Sequence, residues 1–301
     1  MSLREVGAFL MMCFVWGFHF VVIKTIVGEV PPMFYAAVRM GLVAILMSPF
    51  LRWRSGEMPK IFLGGLCLGV FNYALMFSGV KLAPASAAAI ALELHVPFAT
   101  ILAVIFLGDR PGWRRILGIA IAFVGVALIA TAGETSADPD TRIGLGVGLV
   151  AAAAFSEAMG AVTVKRSSGF TPYQLLAWFS VIGTVGLSVM TAIFETGQAA
   201  AYEAVDKRLF FGAIIYSAVA ASIIGHATYY WLLQRLPVSV VAPSVLLTTI
   251  IAVFFSVLLL GDPFGPRMAV GGLMTLAGVG FVLLRNAKKQ PNTGVLSEPP
   301  G

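Results

Sequence analysis

The sequence predicts an all-α integral membrane protein, with ten transmembrane helices arranged as two inverted-topology repeats of five helices. Three observations lead to this fold class. The chain is 59% hydrophobic and only 11% charged, whereas a soluble domain carries about 25% charged residues. Its apolar residues fall into ten runs of membrane-spanning length. Its two halves are similar in sequence, and each half holds an odd number of these runs.

Each of the apolar runs is bounded by charged residues, proline or glycine. About 20 apolar residues in a helix cross the roughly 30 Å of hydrocarbon in a bilayer. The first run begins close to the N-terminus without a small-residue cleavage signal, so we expect it to be retained. The polar tail, residues 286–301, is expected to be disordered. The predicted helices cover residues 6–26, 32–51, 60–80, 84–107, 114–132, 144–165, 171–194, 209–233, 237–260 and 267–285.

The charges between the apolar runs predict the orientation. If the N-terminus is placed inside the cell, thirteen Lys and Arg residues fall on the inner side and six on the outer side, with Arg39 left inside the second run. Cytoplasmic loops carry the excess of basic residues in membrane proteins. We therefore expect a multi-pass protein of the bacterial inner (plasma) membrane with both termini in the cytoplasm. The net charge of +6 comes from these short clusters, which indicates no nucleic-acid partner.

An internal repeat relates the two halves of the chain. We expect the first repeat to cover residues 1–133 and the second to cover residues 144–285. Because each repeat holds five helices, the two copies must lie in opposite orientations across the membrane, which gives transporters two interchangeable access states. At an offset of 153 residues, the matching pairs are Pro84 and Pro237, Ser86 and Ser239, Leu107-Gly108-Asp109 and Leu260-Gly261-Asp262, Arg114 and Arg267, Gly118 and Gly271, and Gly125 and Gly278.

The two Leu-Gly-Asp turns and their flanking helices resemble a known family. They look like the paired halves of EamA-type proteins of the drug/metabolite transporter superfamily, whose turn is usually LGE, so Asp109 and Asp262 are conservative departures. The family's ninth-helix proline has its nearest counterpart here in Pro243. The stretches WGFHF (residues 16–20) and HATYYW (residues 226–231) make the chain most similar to bacterial aromatic amino acid exporters. The resemblance implies secondary transport by alternating access through a central cavity.

The fourth predicted helix carries polar residues near the middle of the membrane. A charge at that depth costs about 2.5–3.5 kcal/mol, yet Glu93 and His95 both lie there beside Pro97. Pro97 removes the helical partner of the Glu93 carbonyl, which a neighbouring helix, water or a ligand must then replace. In an unbroken helix His95 would point about 200° away from Glu93. Either the helix is distorted at Pro97, or one of these side chains bonds a neighbour such as Arg39, and a structural Arg39–Glu93 ion pair is the alternative to a site.

Polar and aromatic residues on the other helices complete a candidate substrate site. Trp16 and His19 share one face of the first helix, and Gly17 beside them permits close approach of a helix or ligand; the same face could instead pack against a neighbour. The eighth helix has the densest aromatic patch, for which an interfacial aromatic belt is the alternative. The predicted substrate-binding residues are Trp16, His19, Asn72, Tyr73, Met76, Glu93, His95, Glu157, Trp178, His226, Tyr229, Tyr230, Ser244 and Thr248, with Pro84, Pro97 and Pro237 as hinges.

This set of side chains favours an exporter of aromatic and other neutral amino acids. Glu93, Glu157 or freed carbonyls would pair with the substrate ammonium group, hydroxyl and imidazole donors with its carboxylate, and aromatic rings with its side chain. Coupling is open between proton antiport, carried by the two acids or the histidines, and passive flux. The sequence has no GxxxxGK[ST] loop for ATP hydrolysis, and we expect no cofactor and no metal.

Three alternative functions are compatible with parts of the sequence. An exporter of organic cations or other drugs would use the same acids and rings through cation–π contacts. An intramembrane hydrolase would need a nucleophile beside a base, and the sequence has no GxSxG or HExxH motif. A scaffold or channel subunit would show no saturable counter-flow. The expected partners are small molecules, chiefly amino acids, and the lipid bilayer, with a monomer as one option for the assembly.

Overall fold

The computed structural model describes residues 1–108, 112–131, 142–165 and 169–289. Within these ranges the regular secondary structure is helical and includes no β-strand, which confirms the all-α prediction. Nine described helices are long and apolar enough to cross a bilayer, and Ser244–Leu260 is a shorter apolar helix. The predicted turn at Asp109 and the predicted tail from residue 290 onward lie outside the described residues.

Ten transmembrane elements follow one another along the chain, and two of them are broken into parts. In the first repeat they are α1 (Leu3–Glu29), α2 (Pro32–Met47), α3 (Met58–Leu82), α4a (Ala85–Leu92), α4b (His95–Leu107) and α5 (Trp113–Ala130). In the second repeat they are α6 (Ile143–Lys165), α7 (Pro172–Phe194), α8 (Lys207–Leu233), α9a (Val238–Val241), α9b (Ser244–Leu260) and α10 (Pro266–Lys289). Residues 286–289 of the predicted tail are thus the last turn of α10.

Local sequence signals set several helix ends. Ser2 and Glu5 form a capping box at the start of α1, which satisfies N–H groups that have no partner within the helix. α4b and α9b end at Gly108 and Gly261, which are both left-handed with φ of 70° and 68°. Glycine adopts this conformation without the steric cost that a Cβ would add. The repeated Leu-Gly pair therefore marks the same helix end in both repeats.

The closest helix packing joins one repeat to the other: α5 with α10, α2 with α7, α3 with α6, and α1 with α9b. Glycines allow the α5–α10 approach. A Cβ on Gly118 would lie 2.8 Å from the carbonyl oxygen of Gly278, and a Cβ on Gly125 would lie 2.6 Å from that of Gly271. The glycines that match in the sequence repeat therefore meet crosswise, as two equivalent helices do when they pack antiparallel.

Replacing Gly125 by valine is expected to destabilise the folded protein by roughly 1–3 kcal/mol or more, because the added carbons would overlap the α10 backbone, which cannot move aside as a side chain can. The measurement is the midpoint of thermal unfolding in detergent. Gly148→Val on α6 is the matched control, since no atom lies within 4 Å of a Cβ at Gly148. Equal losses in the two variants would contradict the assigned α5–α10 crossing.

The interruption of α4 lies at Glu93 and Leu94 and not at Pro97. The expectation that a neighbouring helix, water or a ligand must satisfy the Glu93 carbonyl is wrong, because that carbonyl accepts the N–H of Val96, three residues on, at 3.1 Å. At the break the backbone hydrogen bonds join residues three apart instead of four, so the backbone groups there bond one another. Pro97 falls in the first turn of α4b, where its missing N–H costs nothing. Proline therefore starts the second half-helix instead of bending a continuous one.

The interruption of α9 lies at Ala242 and Pro243. Pro243 immediately precedes α9b, so it plays the part in the second repeat that Pro97 plays in the first. Two of the predicted hinges mark helix starts: Pro84 is the residue before α4a, and the Pro237 carbonyl accepts the N–H of Val240 in the first turn of α9a. Both repeats thus contain a broken fourth helix, with the break after the 8 residues of α4a and after the 4 residues of α9a.

Candidate functional site

A π-helical segment shapes the middle of α8. It covers Tyr216–Ile224, and α3 has its own π segment at Leu66–Phe71. Such segments are rare and occur mostly at functional sites. In α8 the Ser217 carbonyl accepts the Ser222 hydroxyl at 3.0 Å and lies 3.4 Å from Nη2 of Arg39. The π segment therefore turns a backbone carbonyl of α8 toward α2.

Arg39 of α2 joins three helices at this point. Its side chain is only 1% exposed. Nη2 donates to the Ser222 hydroxyl and to the Ser217 carbonyl, and the guanidinium carbon lies 4.6 Å from the ring centre of Tyr73 on α3. No carboxylate pairs with Arg39 within the described part of the chain, so the alternative of an Arg39–Glu93 ion pair is wrong.

The Ser217 side chain links this group to α1 and α2. Its Oγ lies 2.9 Å from Nε2 of His19 and 2.6 Å from the hydroxyl oxygen of Tyr35. The Tyr35 hydroxyl also donates to the Ala213 carbonyl at 2.9 Å. The imidazole of His19 is thus held in one orientation by α8, at the level of the π segment.

An aromatic cluster lies one turn away, between α1 and α8. The ring of Trp16 is 5.4 Å from that of His226 and 5.8 Å from that of Tyr229, and Tyr229 is 5.6 Å from Tyr230. Nε1 of Trp16 donates to the Ala221 carbonyl at 2.9 Å, which fixes the indole plane. Four predicted site residues are therefore brought together as one aromatic wall.

Glu93 lies at the break in α4 and is buried, with 4% exposed. Its Oε1 accepts the hydroxyl of Thr249 on α9b, whereas its Oε2 has no hydrogen-bond partner. A buried charged oxygen left without a donor costs more than 1–3 kcal/mol. At the break in α4, Oε2 of Glu93 is therefore a hydrogen-bond acceptor for which the described protein supplies no donor.

Glu157 of α6 faces α3. Its Oε2 accepts Nδ2 of Asn72 at 3.4 Å, and the same amide donates to the Ala153 carbonyl at 3.0 Å. His95, at the start of α4b, has Nδ1 3.0 Å from the Leu92 carbonyl across the break. Asn72 and Glu157, two of the predicted site residues, are thus in contact. The imidazole of His95 bonds a carbonyl on the other side of the interruption in its own helix.

The histidines and the charged side chains of the site are close enough to interact electrostatically. His95 lies within range of both Glu93 and Glu157, and His226 lies within range of both Glu157 and Arg39. The three histidines sit deep among the helices, yet each keeps part of its surface exposed. Groups that are deep yet partly exposed are what the lining of an interior space would show. We infer such a space between α1, α4, α6 and α8 and call it the interior space.

Asp262 joins α9b to α4a at one end of the molecule. Asp262 follows α9b, and its Oδ2 accepts both the N–H and the hydroxyl of Ser86 in α4a, at 2.8 Å and 2.7 Å. Beside it, Nζ of Lys24 donates to the carbonyls of Val80 and Ala83 at the end of α3. Asp109, the residue that the sequence repeat matches to Asp262, lies outside the described residues.

Two predicted site residues lie away from this space. Nε1 of Trp178 donates to the Arg52 carbonyl at 2.9 Å, and its ring lies 5.9 Å from that of Trp53, in the turn after α2. Met76 is buried in the main hydrophobic core. Trp178 lies in the second turn of α7, which begins at Pro172. A side chain so close to the end of a membrane helix is too far from the middle of the helix to reach a central site.

Ser244 and Thr248 face α1. The Ser244 carbonyl accepts the thiol of Cys13 at 3.6 Å, and a Cβ on Gly17 would lie 2.8 Å from the Thr248 carbonyl oxygen. The close approach predicted at Gly17 is therefore made by a helix. The neighbouring Thr249, which was not among the predicted residues, donates its hydroxyl to Glu93.

Five polar residues of the site were not among the predicted ones. Arg39 is the one that the sequence could have revealed, because it is a lone charge within an apolar run. Small hydroxyl residues are common on packed membrane helices and carry no such signal. The missed residues are Arg39, Tyr35, Ser217, Ser222 and Thr249.

Comparison with known proteins identifies the family to which the chain belongs. The sequence profile described as "EamA-like transporter family" matches residues 3–131 and again residues 144–284. A solved crystal structure has a TM-score of 0.59 and 18% identity, with 95% of this chain and 99% of that chain covered. At that identity the likeness shows the fold alone.

Several curated proteins are similar over most of the chain. A "probable amino-acid metabolite efflux pump" of Salmonella typhimurium is 26% identical, covering 96% of this chain and 99% of its own. A protein of the same name from Escherichia coli is 27% identical, with 93% and 94% covered. A "probable terminal-alkyne amino-acid exporter" of Streptantibioticus cattleyicolor is 28% identical, with 76% and 74% covered.

Proposed function

Because the chain belongs to the EamA-like transporter family, we propose that it is a secondary transporter that exports aromatic and other neutral amino acids by alternating access. The interior space would hold the substrate. The two broken helices, α4 and α9, would open first one end of the protein and then the other. The names of the Salmonella, Escherichia and Streptantibioticus relatives support amino acids as the substrate class.

One observation carries the alternating-access proposal. In an inverted repeat, α4a against α9b at one end corresponds to α9a against α4b at the other end. The first pair is bonded through Ser86 and Asp262. In the sequence repeat, Ser239 and Asp109 are the matching residues of the second pair. Forming one contact while the other is broken would give two states with opposite ends open.

The chemistry of the interior space suits a zwitterion with an apolar side chain. Glu93 supplies a carboxylate oxygen without a donor, which an ammonium group would satisfy. Trp16, His226 and Tyr229 supply ring faces and edges for an aromatic side chain. Glu93, Glu157 and the histidines are also the candidate carriers if export is coupled to protons.

The proposed orientation keeps both termini in the cytoplasm. Asp262 then lies at the outer end of the molecule. Impermeant maleimide labelling of single cysteines placed at Ser2 and at Glu203 tests it in whole cells. We expect labelling at position 203 alone, and labelling at position 2 alone would reverse the orientation.

Counter-flow in proteoliposomes tests the function. Vesicles loaded with unlabelled phenylalanine should accumulate labelled phenylalanine transiently and with saturation, and leucine or tryptophan should compete. Quaternary amines should compete at least tenfold more weakly. The absence of saturable counter-flow for every amino acid of the panel would contradict the proposal, and stronger competition by quaternary amines would favour an exporter of organic cations.

A further inference from the structure

Arg39 is a buried cation without a counter-ion. Its side chain is 1% exposed, in the middle of α2. Its Nε and Nη1 have no hydrogen-bond partner, and no carboxylate pairs with it within the described ranges. A guanidinium group stays protonated in proteins, and removing such a charge from water without pairing it is costly. The folded protein thus carries an unbalanced positive charge in the middle of the membrane.

The neighbours of Arg39 fix the plane of its guanidinium group but leave some of its N–H donors without an acceptor. Nη2 donates to the Ser222 hydroxyl and the Ser217 carbonyl, while the rings of Tyr73 and Phe77 lie 4.6 Å and 5.6 Å from the guanidinium carbon. Ring faces attract a cation but accept no strong hydrogen bond. Three N–H bonds, two on Nη1 and one on Nε, remain without an acceptor.

A carboxylate supplies what these donors lack. It is planar, negatively charged and able to accept two parallel N–H bonds from a guanidinium group. The Arg39 guanidinium group also lies close to the interior space. The ring of Tyr73 covers it, and part of the Tyr73 surface is exposed. His19, which bonds the Ser217 hydroxyl, is also partly exposed. A change of the Tyr73 rotamer would expose Arg39 to a ligand in that space.

We propose that Arg39 is the anchor for the carboxylate group of the substrate. The inference rests on the proposed function and deepens it, because it makes the carboxylate the feature by which this site selects amino acids over organic cations. The carboxylate binds at Arg39 between α2 and α8. Trp16 and His226, the latter within electrostatic range of Arg39, contact the side chain.

The first test separates the carboxylate from the ammonium group. Competition against labelled phenylalanine counter-flow is measured with 3-phenylpropionate, which has only the carboxylate, and with phenylalaninamide, which has only the ammonium group. Arg39→Gln should raise the KM for phenylalanine at least tenfold and abolish competition by 3-phenylpropionate, while leaving the inhibition constant of phenylalaninamide within twofold. Arg142→Gln, at an exposed position, is the matched control and should behave as wild type.

Arg39→Lys is the second variant, in case the glutamine variant fails to fold. Lysine keeps the charge but has no planar fork, so we expect a KM between those of wild type and Arg39→Gln. A structural role alone would alter yield and thermal midpoint without changing the order of the three competitors. A phenylalanine KM within twofold of wild type in both variants would overturn the proposal.

A binding measurement distinguishes failure of this inference from failure of the proposed function. The thermal midpoint of purified protein is recorded with and without 3-phenylpropionate. Wild type should be stabilised and Arg39→Gln should not, even if no amino acid is transported. Absence of counter-flow together with this stabilisation would reject amino acid export and keep the carboxylate anchor. No stabilisation of wild type by 3-phenylpropionate would overturn the anchor.

Discussion

Replacing Glu93 by glutamine is expected to lower kcat/KM for phenylalanine counter-flow by about 10- to 100-fold, since a hydrogen bond to a charged group contributes about 1.5–3 kcal/mol. Glutamine is nearly the same size, and its amide oxygen still accepts the Thr249 hydroxyl that now bonds Oε1. What it loses is the charge on the oxygen that has no partner in the protein. The loss should therefore fall on ammonium binding and spare the fold.

The competitors that probe Arg39 also check this result. Glu93→Gln should weaken phenylalanine and phenylalaninamide but leave 3-phenylpropionate within twofold of wild type. Glu57→Gln is the matched control, because the Glu57 carboxylate pairs with Lys60 at 3.0 Å in the turn before α3 and lies outside the interior space. If all three competitors weakened equally, Glu93 would not be the ammonium partner. If Glu93→Gln and Glu157→Gln both kept full flux and full pH response, proton coupling through these acids would be excluded.

Replacing Asp262 by asparagine is expected to shift the protein about tenfold toward the state that is open at the Asp262 end, as loss of a charged helix cap costs about 1 kcal/mol or more. Oδ2 of Asp262 accepts two hydrogen bonds from Ser86, one from the backbone N–H at the start of α4a and one from the hydroxyl. Asparagine keeps one acceptor but loses the charge, which is favourable at a helix N-terminus.

The measurement is the rate of maleimide labelling of a cysteine placed at Ala89, a buried position of α4a, after Cys13 and Cys67 have been replaced by alanine. Asp206→Asn is the control, because Asp206 caps only its own helix through the N–H of Arg208. Ser86→Ala should act in the same direction. Ser86→Ala removes the hydroxyl bond, which is one of the two bonds that Asp262→Asn weakens. The effects in the double variant should therefore add only in part, and full additivity would contradict a shared contact.

Several parts of the candidate site follow from side chains that the sequence makes conspicuous. Glu93, His95 and Glu157 are ionisable residues at membrane depth, where their cost requires a use, and His95 lies within electrostatic range of both acids. The aromatic run of α8 meets Trp16 because both lie on faces that the helical period predicts. Arg39 was equally conspicuous, but its role depends on what surrounds it, and its neighbours come from α3 and α8.

The class, the number of spans and the inverted repeat were determined by the sequence, because they depend on hydropathy, run length and the odd number of helices per repeat, all of which are properties read along the chain. Tertiary structure alone decided the partners. Thr249 donates its hydroxyl to Glu93, whereas its neighbour Thr248 faces α1, because the packing of α9b between α1 and α4 decides which of its faces meets which helix. Likewise the π segment of α8 changes the period from 3.6 residues, which brings Ser217 and Ser222 together on Arg39.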